Sequence, residues 1–427
     1  MTVLRERFTP TDIGPSPLDW RAPFLSEVSS LITNGFVGTA TPHYTDNTGV
    51  RYLYGTNIRA NRIDLAGLRY VTHHFDELES KTRLQAGDLL TVQSGHIGTT
   101  AVVPIELEGA NCHALIVTRL NKDEVDPIFL SQYLNSEIGV ARMRGLEVGS
   151  TILHINTKDL KRFRIPRPPL PEQQKIAAIL STWDRAIELT EKLIAAKQKR
   201  KQALMQQLLT GKVRFKEFAK RGEWRMTKLG SVTVKVGSGI TPRGGQSTYL
   251  ASGVPFIRSQ NVLSGKLDLT DVVYLSEEQN SQMANSQVLP LDVLLNITGA
   301  SIGRCAKVPA GFPNANVNQH VCIIRPKETL DPDYLSNLLN SWFGQKLVFQ
   351  SQAGGNREGL NYEQIRSFRL VLPPIAEQRR LGEILAALDA EIEVLHRKLD
   401  RLKQQKKGLM QQLLTGKVRV KVDSANQ

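Results

Sequence analysis

A stretch of the chain that occurs twice constrains the fold more than any other feature. The ten residues 205–214 return letter for letter as residues 410–419, a shift of 205 positions. The same shift carries Glu172-Gln173 onto Glu377-Gln378 without a gap. A repeat of this length predicts a duplicated architecture, in which each copy forms the same structural unit.

Each copy carries apolar residues alternately three and four positions apart, a spacing typical of a coiled coil. The first seam contains Ile176, Leu180, Trp183, Ile187, Ile194, Leu204 and Leu208, interrupted by Thr190, Lys197 and Lys201. The second contains Leu381, Leu385, Leu388, Ile392, Leu395, Leu399, Leu402, Leu409 and Leu413, interrupted by Lys406. Prolines precede each seam and a glycine follows it, so each predicted helix runs for roughly 38 residues, about 57 Å. The alternative is two unrelated surface helices of one large globule.

The segment that precedes each helix predicts a mixed α/β globule, two in all. Trp224-Arg225 corresponds to Trp20-Arg21, and Asp331-Pro332 corresponds to Asp126-Pro127. Each Asp-Pro pair predicts a helix start, with aspartate as the N-cap and proline at the first helical position. The helices match closely, whereas the globules match only in outline. Two similar scaffolds with different surface residues suit two similar tasks on different targets.

Charge and composition indicate a polyanionic partner. The 427 residues carry a net charge of +14, which favours nucleic acid over a basic solvated surface or an acidic protein partner. No apolar run approaches the ~20 residues of a membrane span, and the first residues predict no signal peptide. The three cysteines are scattered, which argues against a zinc site or a disulfide framework and indicates a reducing cytoplasm.

The sequence contains no recognisable catalytic or metal-binding motif, so we predict neither a catalytic residue nor a metal site. Gly211-Lys212 and Gly416-Lys417 are followed by valine, so neither is a phosphate-binding loop of an ATPase. Residues 331–334 loosely match the Asp-Pro-Pro-Tyr type of methyltransferase motif, but the helix-cap interpretation is simpler. His113 has no partner at metal-ligand spacing.

The sharpest motifs open and close each repeat. A proline-rich opening leads into Glu-Gln at 168–173 and again at 372–378, and Leu-Leu-Thr-Gly-Lys-Val-Arg closes both copies at 208–214 and 413–419. With these motifs the sequence resembles, over essentially its whole length, the specificity subunit of a type I restriction–modification system. The second copy departs from the opening at Ala376, where the first has Pro171.

The resemblance implies an α+β (mixed α/β) fold, with two globular target recognition domains joined by two long antiparallel coiled-coil helices. The implied boundaries are 1–165 for the first target recognition domain, 166–215 for the first helix, 216–370 for the second domain with a linker at 216–223, 371–420 for the second helix and 421–427 for a tail. Antiparallel pairing would oppose residues whose numbers add to about 589. Lys406 would then lie near Trp183, and we expect its stem to cover the indole, with cation–π character.

The resemblance also implies a function without catalysis. Each globule would read one half of a bipartite double-stranded DNA target, and the helices would set the spacer and dock two methyltransferase subunits. Two motor–nuclease subunits would complete a cytoplasmic assembly, with no membrane partner. S-adenosylmethionine, ATP and magnesium would belong to those partners, and this chain would hold no cofactor. The alternatives are a coiled-coil scaffold without a DNA role and a stand-alone DNA-modifying enzyme with an unrecognised site.

Residues that read DNA are expected among polar and basic side chains in loops, because these types reach base edges and phosphates. In the first globule the candidates are Arg51, Tyr52, Tyr54, Asn57, Arg59, Arg62, Gln93, Ser94 and His96. In the second they are Arg258, Ser259, Gln260, Asn261, Thr298, Ser301, Arg304, Asn318, Gln319, His320, Asn356 and Arg357. For any single loop, an ordinary strand connection is the alternative.

Overall fold

A computed structural model of the chain describes residues 8–146, 154–220, 222–242, 244–352 and 359–422. Its contacts divide the chain into two compact units: unit 1 is Met1–Glu191 with Lys398–Gln427, and unit 2 is Lys192–Arg397. Each unit contains one globule and about half of each long helix. The domain boundaries predicted from the sequence keep each helix whole, and they remain a prediction. None of the described helices is long and apolar enough to cross a membrane.

Two four-stranded sheets form the globule of unit 1. Its strands are β1 (Phe8–Thr9), β2 (Ser16–Pro17), β3 (Ser29–Asn34), β4 (Tyr44–Thr45), β5 (Val50–Leu53), β6 (Ile58–Arg59), β7 (Arg62–Ile63), β8 (Arg69–Val71), β9 (Leu89–Val92), β10 (Thr100–Val102), β11 (Asn111–Cys112) and β12 (Leu115–Leu120). One sheet is antiparallel, in the order β10-β9-β12-β3. The other has the order β11-β5-β8-β4, in which only β5 and β11 are parallel. The pairs β1-β2 and β6-β7 form short ribbons.

Helices cover one face of the antiparallel sheet, and the second sheet covers the other. The helices of this part are α1 (His73–Leu78), α2 (Pro127–Leu134), α3 (Glu137–Arg144), α4 (Thr157–Lys161) and the first long helix α5 (Leu170–Leu208). Alternate residues of one strand point to opposite faces. Leu89 therefore joins the core that includes the helices, whereas Leu90 joins the core between the sheets. Asp126 caps α2 as predicted, with its carboxylate accepting from the Phe129 amide at 2.8 Å.

Unit 2 repeats this plan. Its strands are β13 (Arg225–Lys228), β14 (Thr233–Ser238), β15 (Val254–Ile257), β16 (Val262–Leu263), β17 (Lys266–Leu267), β18 (Val273–Leu275), β19 (Gln287–Val288), β20 (Val293–Asn296), β21 (Cys305–Lys307), β22 (Ala315–Val317), β23 (Val321–Pro326) and β24 (Arg369–Leu372). Its helices are α6 (Glu277–Gln282), α7 (Pro332–Asn340), α8 (Trp342–Gln352), α9 (Tyr362–Ser367) and the second long helix α10 (Ile375–Leu413). The sheets run β14-β23-β20-β21 and β18-β15-β22-β19, and β13 pairs with β24. The two globules thus share one scaffold, apart from the edge strands β4 and β19, the β1-β2 ribbon of unit 1 and the β13-β24 pair of unit 2.

The halves of α5 and α10 that share a unit pair antiparallel. In unit 1 the Lys406 ammonium lies 2.6 Å from the Asp184 carboxylate, and in unit 2 Lys201 lies 2.6 Å from Asp389. The numbers of these partners add to about 590, so the predicted register is correct to within one residue. A buried ammonium requires such a partner, because an unpaired charge is costly to desolvate. The cation–π contacts within the described ranges do not include Trp183, since the Lys406 ammonium binds the neighbouring Asp184 instead.

The seam residues lie between the paired helices and the globules. Those that are buried are Ile176, Leu180, Ile194, Leu208, Leu381, Leu385, Leu399 and Leu413. Those that are half-buried are Trp183, Ile187, Leu204, Leu388, Ile392, Leu395, Leu402 and Leu409. Residues near the start of each helix also join a globule core, as Ile176 does in unit 1 and Leu381 in unit 2. Each globule is therefore packed onto its helices through shared apolar contacts.

The repeated motifs meet in a buried polar cluster in unit 1, which we call closure 1 (Trp20, Glu172 and Arg419). The Glu172 side chain is 3% exposed. It accepts hydrogen bonds from the Trp20 indole at 3.3 Å and from Arg419 Nε and Nη2 at 2.6 and 2.8 Å. Glutamate and arginine therefore come from different repeats. The closing Arg419 also binds Asp19, and this hydrogen bond holds the pKa of Asp19 below its ordinary value.

Unit 2 contains the same cluster, closure 2 (Trp224, Glu377 and Arg214). The Glu377 side chain is 1% exposed and accepts from the Trp224 indole at 3.2 Å and from Arg214 at 3.0 and 2.7 Å. Gly211 ends α5 with a φ of +71°. A Cβ at this position would lie 3.3 Å from the Trp224 ring, so glycine serves both the turn and the close approach.

The glutamine of each Glu-Gln motif fastens the long helix to its globule. Gln173 is fully buried, and its amide donates to the carbonyls of Glu124 and Pro168 at 2.9 and 2.8 Å. Its oxygen accepts from the Asp126 amide at 2.9 Å. Gln378 makes the matching bond to the Asp331 amide at 2.9 Å. One glutamine thus satisfies backbone groups that the fold would otherwise bury unpaired.

Candidate nucleic-acid interface

The predicted polar loops of unit 2 converge on His320. The Thr298 hydroxyl lies 2.6 Å from His320 Nδ1, and the Gln319 amide lies 3.2 Å from His320 Nε2. Asn318 accepts from the His320 amide at 3.1 Å, while the Thr241 hydroxyl bonds to Gln319. The loop after β20 and the loop before β23 therefore form one polar surface, in which side chains fix each other before any ligand arrives.

Arg304 is an exposed cation beside this surface. The turn from Gly299 to Gly303 precedes it, and both glycines have positive φ, +70° and +85°. Arg304 makes no hydrogen bond or ion pair with the other described side chains, so its donors are available. Ser301 is half-buried in the same turn. The candidates Asn356 and Arg357 lie outside the described residues.

The matching glycine loop of unit 1 follows β9. Gln93 is half-buried there, whereas Ser94 and His96 are exposed. The Ile155 amide donates to the Gln93 carbonyl at 3.0 Å, just as the Leu360 amide donates to the Ile297 carbonyl at 2.9 Å in unit 2. The two loops are thus fastened in the same way, although their exposed side chains differ.

Two predicted DNA-reading residues, Asn57 and Asn261, are internal braces instead. Asn57 is 2% exposed and accepts from the Tyr54 amide at 2.9 Å, and Asn261 is fully buried and accepts from the Arg258 amide at 3.0 Å. Each also donates to the carbonyl of an aspartate seven positions on. Because these side-chain amides already bond to backbone groups of the turn after β5 or β15, Asn57 and Asn261 are not available to contact bases.

Tyr52 is also an internal residue and is not available to contact bases. Its side chain is fully buried, and its hydroxyl lies 3.4 Å from His113 Nδ1. Arg51 is exposed but donates to the Glu106 carbonyl.

Arg59 and Arg62 make only loose ion pairs in unit 1. Their guanidinium groups lie 3.8 Å from the carboxylates of Asp64 and Glu191, respectively. Both arginines remain accessible to an anionic ligand.

An aromatic and cationic group lies where β4, β8 and β5 meet in unit 1. The Tyr54 ring stacks on His113 at 4.9 Å, and the Arg69 guanidinium lies 4.8 Å from the Tyr44 ring and 5.2 Å from the Tyr54 ring. Arg69 also donates to the Tyr44 hydroxyl at 2.7 Å. Sequence reasoning missed Arg69 and Tyr44, because only strand pairing brings positions 44, 54 and 69 together.

The corresponding place in unit 2 has a different set of side chains. Arg258 lies 5.9 Å from the Tyr249 ring and donates to the Asp271 carbonyl at 2.9 Å. The exposed Gln260 bonds to the Asp271 carboxylate. Ser259 is half-buried in the turn between them.

His113 gives the site of unit 1 a testable pH dependence. Burial, and secondly the charge of Arg69, lower the pKa of His113 below its ordinary value of about 6.5. Folding therefore favours the neutral ring, and the resulting stabilisation is present at neutral pH and is lost as the pH falls below about 6.5. We expect the thermal stability to decline between pH 7 and pH 5, and His113→Phe to decline less over the same range. An equal decline in both proteins would contradict this assignment.

The described residues contain no group of three or more His, Cys, Asp or Glu side chains placed to hold a metal ion. All three cysteines are buried and unpaired. The polar loops, the exposed arginines and the aromatic groups are therefore the chemistry that the described surface presents, and they are groups that contact phosphates and base edges.

Comparison with known proteins gives a consistent result. Residues 17–197 and 221–404 match the family described as type I restriction modification DNA specificity domain. MjaX of Methanocaldococcus jannaschii, named as a type I restriction enzyme specificity subunit, is 28% identical over 97% of both chains. The MjaVIII specificity subunit of the same organism is 30% identical over 64% of this chain and 66% of its own. A crystal structure of the type I restriction–modification S subunit from M. genitalium superposes with a TM-score of 0.61 at 18% identity, covering 92% of this chain and 96% of that one.

Two copies of one α+β scaffold, each packed on a repeated long helix and each presenting its own polar surface, define a duplicated DNA-recognition protein. The family match extends over most of the chain and includes both copies. The chain belongs to the type I restriction–modification DNA specificity family. Its function is sequence-specific DNA recognition as the non-catalytic specificity component, as the sequence resemblance implied.

Proposed function

We propose that each unit reads one half of a bipartite double-stranded DNA target. The observation that carries this proposal is the pattern of likeness between the units. Buried braces are identical, as at Asn57 and Asn261, whereas the exposed residues beside them differ, as at Thr56 and Gln260. A shared scaffold with different exposed side chains supports the same operation on two different base sequences.

The charge of the chain supports binding along the DNA backbone. A net charge of +14 attracts the phosphates, and arginines with free donors, such as Arg304, suit phosphate or base contacts. Phosphate contacts hold the protein in register but carry no sequence information. The two kinds of contact therefore predict different mutational effects: loss of a phosphate contact weakens all sequences alike and lowers the salt dependence, whereas loss of a base contact relaxes one position.

The long helices are proposed to fix the unread spacer between the half-sites. Each has 39 residues. At ~1.5 Å per residue such a helix is about 58 Å long. Half-sites one DNA turn apart are separated by about 34–36 Å, so the helices are long enough for this role.

We also propose the partners implied by the family. The helices dock two methyltransferase subunits, and two motor–nuclease subunits complete the assembly. S-adenosylmethionine, ATP and magnesium would serve in those partners, and the complex would work in the cytoplasm. Support comes from the identity of the two helix ends, residues 205–214 and 410–419, because two copies of one partner require two copies of one surface.

Modification mapping tests the proposed function. Single-molecule DNA sequencing would compare cells with and without this gene, in the presence of the methyltransferase partner. We expect methylation at one bipartite motif with a fixed gap, which disappears when the gene is removed. Absence of such a motif, combined with no salt-dependent DNA binding by the co-purified complex, would overturn the proposal.

A further inference from the structure

The turn after β5 in unit 1 and the turn after β15 in unit 2 have the same backbone and the same bracing asparagine. The side chains around these turns nevertheless differ at two places. Tyr54 stands where unit 2 has Arg258, and Arg69 on β8 stands where unit 2 has Val273 on β18. The arginine thus stands on β8 in unit 1 but directly after β15 in unit 2.

Both arrangements place a guanidinium group against a tyrosine ring. In unit 1, Arg69 lies 4.8 Å from the ring centre of Tyr44, and in unit 2, Arg258 lies 5.9 Å from that of Tyr249. The tyrosines are equivalent as well, because each stands on the segment that pairs with β8 or β18. An arginine–tyrosine pair is therefore present at this place in both units, although the arginine comes from a different position in each.

A stacked guanidinium group is well suited to reading a base. The ring restricts its plane, so less conformational entropy is lost when its donors engage a ligand. A second contact orients each fork: Arg69 donates through Nη1 to the Tyr44 hydroxyl, and Arg258 donates through Nη2 to the Asp271 carbonyl. The Arg69 guanidinium group also interacts with Tyr54, whose ring centre lies 5.2 Å away and whose side chain it hydrogen-bonds. Bidentate donation from arginine to the O6 and N7 atoms of guanine is the commonest specific contact in the major groove.

We propose that Arg69 and Arg258 are specificity-determining residues, each reading a guanine in the half-site of its own unit. Tyr44 and Asp271 are positioning residues that orient the two guanidinium groups. The inference rests on the proposed function, because it names the side chains that perform the reading.

The test uses the full chain assembled with its methyltransferase partner and a DNA library randomised across both half-sites. Arg69→Lys and Arg258→Lys keep the positive charge but lose the fork. We expect each to lose roughly ten- to hundredfold of the discrimination at one base pair, in one half-site only. The slope of affinity against salt should stay unchanged, since the charge is retained. The matched controls are Arg162→Lys and Arg225→Lys, at an exposed arginine directly after α4 and an exposed arginine on β13, and they should leave both half-sites unaltered.

Two positioning variants make the test sharper. Tyr44→Phe removes the hydroxyl acceptor but keeps the ring, and Asp271→Asn removes the carboxylate charge that lies 3.8 Å from Arg258 Nη2. Each should relax the same base pair as the arginine variant of its unit. The thermal midpoint of every variant is measured alongside, so that misfolding is recognised.

Unchanged base preference in folded Arg69→Lys and Arg258→Lys complexes would overturn the inference, as would equal relaxation in the control variants. Relaxation of different base pairs by Tyr44→Phe and Arg69→Lys would also overturn it. In each of these cases the wild-type complex still marks a bipartite motif, so the proposed function stands. Failure of the proposed function is distinct, because the wild-type complex then marks no motif at all.

Discussion

Removing one heptad from each long helix should shorten the gap between the two half-sites by about three base pairs, while both half-sites keep their sequences. Seven residues of α-helix span about 10.5 Å, and successive base pairs rise by about 3.4 Å. Deleting residues 188–194 and 396–402 removes segments that face each other in the observed register. The apolar spacing then continues in phase, because one full heptad is lost from each seam.

The measurement is modification mapping of the doubly shortened chain in cells that supply the methyltransferase partner. Deleting four residues from each helix is the control, because this breaks the phase of the seam and should abolish modification. Three base pairs also turn the second half-site around the DNA axis, so a folded heptad variant that modifies no DNA would show that rotation matters. Retention of the original gap would show that the helices do not set the spacer.

Arg419→Ala should be among the most destabilising single substitutions in the chain. It leaves the Glu172 carboxylate buried in closure 1 with the Trp20 indole as its remaining partner from that cluster. Breaking a buried ion pair by removing one partner costs about 3–5 kcal/mol, because the other charge stays desolvated. Arg419→Lys keeps the charge but loses the two-pronged contact, so a smaller loss is expected.

The free energy of unfolding would be measured by urea denaturation of the full chain. Arg380→Ala is the control, since Arg380 pairs with Glu383 at 3.3 Å on an exposed helix surface. Such surface pairs contribute about 0–1 kcal/mol. If Arg419→Ala cost no more than Arg380→Ala, closure 1 would have no special role in stability.

The sequence predicted the helical part of the fold well, for a physical reason. A sustained four-three spacing has few solutions other than a paired helix. With the antiparallel orientation that the resemblance implied, symmetric pairing of the two seams predicted the register to within one residue. The sequence also marked Glu172 and Arg419 as members of repeated motifs. It did not show that they touch, because they lie far apart in the chain and belong to different repeats.

The residues that read DNA were harder to predict from letters alone. Asn57 and Asn261 have the side chain that commonly binds adenine, but in both residues it bonds to the backbone of its own turn. Arg69 lies in a short strand with no basic neighbours in sequence, and it gains its tyrosine only through pairing of β8 with β4 and β5. Burial and strand register, which decide both cases, are tertiary properties.

The two closures have a consequence for how such proteins can evolve. Each closure joins the opening tryptophan and glutamate of one repeat to the final arginine of the other, and all three residue types are the same in both. In each closure the glutamate and the arginine both belong to the repeated helical segments, so a recombination event that replaces the coding segment for one globule leaves these ion pairs intact. Exchange of whole globule segments is therefore expected to change one half-site while both glutamate–arginine pairs are kept.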